Sequence, residues 1–207
     1  MRAKLSQIIY LAQNSEREAP QAQLPDGGTL FVRHPNSEEI SNLYTLSQTE
    51  IGATVAPLDV VQAVYNHNPD TFWGVYYMPE DTFAEDAKFI GYYGFLHLNP
   101  AGEKALEASA FDALNPDMSQ LCLAGERPVI IYVWALVARR VARLATPLVA
   151  RALGRDLYGG VPIYAKAGTL GGLNTIKHYG FVSARPSDFG LGDLFRLDPE
   201  VSGAVPG

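Results

Sequence analysis

The sequence predicts one mixed α+β domain, on three observations. Two long runs rich in Tyr, Phe and Val, Thr71 to Met78 and Lys88 to Asn99, flank the acidic stretch PEDTFAED and are spaced as an antiparallel hairpin. Shorter apolar runs on either side alternate with segments of helical character. The chain has 207 residues, 47% of them hydrophobic, and no linker-like stretch divides it, so one core is the expected arrangement. Residues 1–27 are expected to form an N-terminal helix and connector, 28–198 the domain, and 199–207 a flexible tail.

Each element has a local reason. Leu5, Ile8, Ile9 and Ala12 share one side of a helix over Ala3 to Asn14, and the polar NSEREAPQAQLPDGG follows as a connector. A strand is expected from Thr29 to His34 and a helix from Ser37 to Leu46, with Pro35 and Asn36 between them. A second helix covers Leu58 to Asn66 and stops ahead of Asn68-Pro69, because the residue before proline resists the α conformation. The hairpin follows. AGEKALEASAFDALNPDMSQLCLAGER then makes a long connection, expected as an insertion beside the functional site or a dimer contact, which keeps a homodimer in view. A strand over Pro128 to Val137 leads into RRVARLATPLVARALG, with Thr146 expected as N-cap and Pro147 at the first helical position. VPIYAKAG (Val161 to Gly168) is the next strand, and TLGGLNTIKH a short helix closed by Tyr179-Gly180-Phe181.

Composition excludes several classes of function. Cys122 is the only cysteine, so there is no internal disulfide framework, and its Leu-Cys-Leu setting suits a buried side chain; a cytoplasmic location is expected. No segment approaches the ~20 apolar residues of a membrane span, and the N-terminal apolar run is too short for a secretory signal. His34, His67, His97 and His178 lack metal-ligand spacing, so no metal is expected. There is no G-x-S-x-G, and Gly171-Gly172 is only a fragment of a dinucleotide loop. Basic residues number 16 against 22 acidic, which argues against nucleic acid.

Positive charge is nevertheless concentrated in one place. No Asp or Glu occurs between Arg127 and Arg155, although the chain carries a formal charge of -6. Arg139, Arg140 and Arg143 cluster where a strand meets a helix start, and free backbone amides there favour an anion such as phosphate. A surface-exposed basic helix, with Arg140, Arg143, Arg151 and Arg155 on one face, is the plainer alternative.

The order of strand, basic loop, helix, strand, helix and Gly-Phe pair resembles the C-terminal half of the GNAT acyltransferase superfamily, and TLFVRHPNSEEISNLYTLSQ resembles its opening. The likeness covers roughly Gly28 to Leu197 and rests on element order more than on identities. It implies a mostly antiparallel, twisted sheet of about six to seven strands, flanked by helices and splayed between strands four and five. It further implies acyl-CoA, most simply acetyl-CoA, as donor, and a small-molecule or protein amine as acceptor. The family's pyrophosphate loop, Q/R-x-x-G-x-G/A, aligns with Arg140-Val141-Ala142-Arg143-Leu144-Ala145, so Arg143 stands at the first glycine. A backbone amide near Leu136 or Val137 would face the oxyanion. The family's asparagine falls at Thr169, with Asn174 as an alternative contact to pantetheine. Its usual tyrosine donor falls at Ile176, which leaves Tyr179 as the candidate acid. Tyr76, Tyr77, Tyr92 and Tyr93 are candidate pocket walls. The departures at Arg143 and Ile176 keep two alternatives open: an enzyme using an acyl carrier protein or long-chain donor, and a non-catalytic binding protein.

Overall fold

In the computed structural model, residues 21–52, 55–83, 86–138, 141–153, 159–185, 190 and 192–198 are described, residues 142 and 143 by backbone alone. The helix expected over Ala3 to Asn14, Arg139, Arg140 and the tail from 199 lie outside them. The described strands are β1 (Gln21–Gln23), β2 (Thr29–Arg33), β3 (Phe72–Met78), β4 (Lys88–Leu98), β5 (Ile130–Val137), β6 (Ile163–Lys166), β7 (Val182–Ser183) and β8 (Leu194–Leu197). They form one eight-stranded sheet in the order β1-β2-β3-β4-β5-β6-β8-β7. Every pairing is antiparallel except β5 with β6. Five α-helices are described: α1 (Glu39–Glu50), α2 (Leu58–His67), α3 (Pro100–Glu107), α4 (Ala142–Leu153) and α5 (Leu170–His178).

Part of the expected connector belongs to the sheet. Gln21–Gln23 pair with Thr29–Phe31 through a tight turn in which Gly27 takes φ +81, a conformation only glycine enters freely. The sheet therefore has more strands than the six to seven expected, the surplus being short edge strands whose polar or two-residue sequences carry little periodic signal. The long connection also holds an unexpected helix. Asn99 caps α3 by accepting from the Ala101 and Gly102 amides at 2.9 and 3.1 Å, and Pro100 takes the position where a missing N–H costs nothing.

Alternation along the strands divides the core between two faces. Tyr93, Phe95 and Ile131 pack with Leu148, Val149 and Leu153 of α4. Tyr92, Leu96, Ile130 and Tyr132 pack on the opposite face with Ile40 and Leu43 of α1 and Val61 and Val64 of α2. α5 covers β6 and β8 through Leu173 and Ile176 against Ala165 and Phe195. Burial of these apolar faces, at about 25 cal/mol per Å² removed from water, is the main force holding the helices to the sheet.

The start of α4 differs from the expectation. Thr146 is not its N-cap: the helix begins at Ala142, and the Leu144 and Ala145 amides already donate to the Val141 carbonyl at 2.9 and 2.8 Å. Pro147 consequently lies inside the helix, where it withholds the hydrogen bond normally made to the carbonyl four residues earlier. Thr146 is buried, and its hydroxyl pairs with that of Tyr93 at 2.7 Å. The need of a buried tyrosine for a partner outweighs the capping preference of threonine.

Candidate active site

The central event is the parting of β5 from β6. Their register runs only from Ile131 opposite Ile163 to Val133 opposite Ala165, whereas β5 continues to Val137. On the other side β5 stays paired with β4 along its whole length, with a register shift at Gly94/Phe95 that leaves Trp134 as an extra residue. A bulge bends the strand that carries it, and this one sits where β5 leaves β6. Gly91 allows the bent strand to stay close to β4, because a Cβ there would meet the Val137 carbonyl at 2.4 Å. Among the described residues, Trp134–Val137 therefore have no strand partner on their β6 side.

A cavity of about 390 Å³ fills the gap. From the α4 face it is lined by Tyr93, Thr146, Val149 and Ala150; from α5 by Thr169, Gly172, Thr175 and Ile176, with Tyr179 just beyond. From the α1 face Leu43, Ser47, Phe72, Tyr92, Tyr132 and Trp134 line it. Because Tyr92 and Tyr93 are consecutive and point to opposite faces, the cavity passes through the sheet. Its described lining contains no Asp, Glu, His or Arg, and its single charged side chain, Lys166, is exposed.

The polar groups are hydroxyls and indole. Tyr92 pairs with Ser47 in a short hydrogen bond, Tyr93 with Thr146, and the Trp134 Nε1–H donates to the Ala113 carbonyl at 2.6 Å. Burial raises Tyr92 and Tyr132 to about 12 and pushes Tyr93 up as well, so all three stay protonated at neutral pH. Thr169 caps α5 by accepting from the Gly172 amide at 3.0 Å.

The sequence-derived candidates distribute unevenly. Leu136, Thr169 and Tyr179 line the cavity; Val137 is buried one residue beyond Leu136. Tyr179 is half-buried at the C-cap of α5, its ring 5.2 Å from that of His178. Asn174 is exposed and outside the lining. Ala145 is buried with its amide engaged, so the helix-start amides free of intrahelical acceptors are those of Ala142 and Arg143. The Arg143 side chain, like Arg139 and Arg140, is outside the described residues. Of the four candidate tyrosines, Tyr92 and Tyr93 reach the cavity. Tyr76 lies buried beneath the Arg33 guanidinium, 4.0 Å from its ring centroid, while the Tyr77 hydroxyl donates to Asp26 at 3.0 Å. Cys122 is buried and its thiol pushed up to about 11 by burial, which does not suit a nucleophile.

Sequence reasoning missed Leu43, Ser47 and Trp134, and also Ala113 and Leu114 of the long connection, all of which line the cavity. Nothing local marks them, since they converge only through the sheet. Among the described residues no group of His, Cys, Asp or Glu could hold a metal ion, and no helix is long and apolar enough to cross a membrane. No protein-family model matches the chain, and no curated protein matches it.

Proposed function

We propose that the protein is an acyl-CoA-dependent N-acyltransferase with a GNAT-like fold, acting by direct attack of an amine on the thioester. The observation that carries this reading is the parting of β5 and β6 over a cavity faced by the unpartnered backbone of Trp134–Val137. Counted from β2, these are the fourth and fifth principal strands, the pair that the family resemblance expects to be splayed.

In this reading the pantetheine arm of the donor lies in the gap, with its thioester before β5 and its phosphates toward the start of α4. There the amides of Ala142 and Arg143 and the positive end of the helix dipole favour negative charge. The amine nitrogen attacks the thioester carbonyl, and a β5 amide near Leu136 or Val137 donates to the resulting oxyanion. Collapse breaks the C–S bond, and the thiolate takes a proton from the Tyr179 hydroxyl or from water. The amine must lose its own proton. With no carboxylate or imidazole in the described lining, ordered water is the base this reading assigns.

A non-catalytic binding protein is the second reading, favoured by Ile176, which is buried at the position of the family's usual tyrosine. Two measurements separate them. A CoA species at 100 times its Kd should stabilise the fold by about 2.7 kcal/mol, or about 5 to 10 °C in Tm at this chain length. Thiol release from an acyl-CoA in the presence of an amine panel should accompany it. A thermal shift without thiol release selects the binding protein; the absence of both would overturn the CoA reading.

A further inference from the structure

The arm of the cavity on the α1 face has a composition that defines what it can hold. Leu43, Ile51, Val61, Phe72 and Trp134 contribute apolar surface, and no described side chain on this arm carries charge apart from the exposed Lys166 at its edge. Three of the hydroxyls there already have partners. Ser47 and Tyr92 bind each other, Ser47 also donates to the Leu43 carbonyl at 2.9 Å, and the Tyr44 hydroxyl accepts from Gln48 at 3.0 Å. A cation entering this arm would lose its hydration without gaining a carboxylate, which is strongly unfavourable. An uncharged hydrocarbon group meets no such cost and gains about 0.8 kcal/mol for each buried methylene.

We infer that this arm binds an uncharged, apolar substrate group, an alkyl chain or an aromatic ring, and rejects polycationic acceptors. The inference rests on the acyltransferase reading for its chemistry, although the binding it describes can be measured without CoA. The apolar group can enter as the acyl chain of the donor or as the body of an amine acceptor. Both thread through the gap in the sheet to bring the reacting carbon and nitrogen to the same stretch of β5. For an amine the setting has a chemical consequence: a site without carboxylates favours the neutral form, which is the nucleophile.

Trp134 supplies the reporter. The chain has two tryptophans, and Trp73 lies outside the cavity lining against His34, so in Trp73→Phe protein the remaining indole reads the arm alone. Trp134 emission is titrated with n-alkylamines from butylamine to octylamine, with 2-phenylethylamine, with spermidine, and with acyl-CoAs from acetyl to dodecanoyl. Affinity should rise about fourfold per methylene in the amine series, the acyl series or both, until the arm is full. Which series shows the rise identifies the source of the apolar group. Spermidine should leave the emission unchanged. A Leu114→Asn variant, polar but uncharged at a half-exposed position on the cavity rim, should weaken octyl binding about tenfold. Flat affinity in both series, spermidine binding as tightly as octylamine, or unchanged octyl affinity in Leu114→Asn would each overturn the inference. If alkylamines bind while free and acylated CoA do not, the inference stands and the CoA reading fails.

Discussion

The two ends of β5 are built from similar residues yet behave differently. Ile130 to Tyr132 are buried, held between β4 on one side and β6 on the other, with β6 pairing from Ile131 onward. Trp134 to Leu136 are only half-buried, and among the described residues β4 is the only strand beside them. The closed end is a structural strand, its polar backbone used up in the sheet. The open end keeps backbone groups in front of a cavity, where they are available to a ligand. A bulge at Trp134 and a glycine at position 91 separate the two behaviours, so a small change in register creates the candidate site.

The strongest test of this contrast closes the open end. Ala150 on α4 is buried and lines the cavity, and an indole placed there by Ala150→Trp would occupy the space before β5. CoA-induced stabilisation should disappear, while the unliganded protein should lose about 1 to 3 kcal/mol to overpacking. Retention of the full ligand shift would mean that the open end is not the binding site.

The closed end makes its own prediction, through pH. His97 pairs with Ile131 and is buried, hydrogen-bonded through Nδ1 to the Asn68 side chain at 3.2 Å. Burial first, and the nearby His34 second, lower its pKa from 6.5 to about 4. The unfolded chain therefore binds more protons than the native one between those values. The stabilisation is complete above about pH 6.5 and is lost as pH falls toward 4, by roughly 3 kcal/mol at about 1.36 kcal/mol per pH unit. Denaturant unfolding from pH 7 to 4 should show this loss, and His97→Gln should reduce the slope.

Much of the fold was legible because its strands and helices announce themselves locally. The hairpin of β3 and β4 is rich in Val and aromatic residues, α2 stops before Asn68-Pro69, and Thr169 caps α5. The start of α4 misled because Thr146-Pro147 is a strong local cap signal, overridden by a partner, Tyr93, that lies 53 positions away in sequence. The site was less legible for the same reason. Tyr179 could be named from sequence order, but Leu43, Ser47 and Trp134 come together only when α1 is laid across β3, β4 and β5.

Tyr179 faces the open end, and its role can be separated from packing. If its hydroxyl protonates the departing thiolate, Tyr179→Phe should lower kcat by about 10²-fold with little change in the Kd for CoA. A loss confined to Tm would assign the residue to the core cluster it packs against. Steady-state rates beside a thermal melt decide between the two.

The smallest expected effect sharpens the boundary between binding and scaffolding. Tyr93 pairs with Leu136 on the open end, and its hydroxyl meets Thr146 at 2.7 Å, tying the unzipped part of β5 to α4 through β4. Burial keeps this hydroxyl protonated, so the bond should be intact across the ordinary pH range. Tyr93→Phe should then cost about 1 kcal/mol, and combining it with Thr146→Val should cost less than the separate losses added together, because both remove the same bond. CoA affinity should be nearly unchanged if the pair only braces α4. A large loss of affinity in Tyr93→Phe, with Tm barely altered, would instead put the hydroxyl in contact with the ligand and make the open end a polar binding surface beyond its backbone.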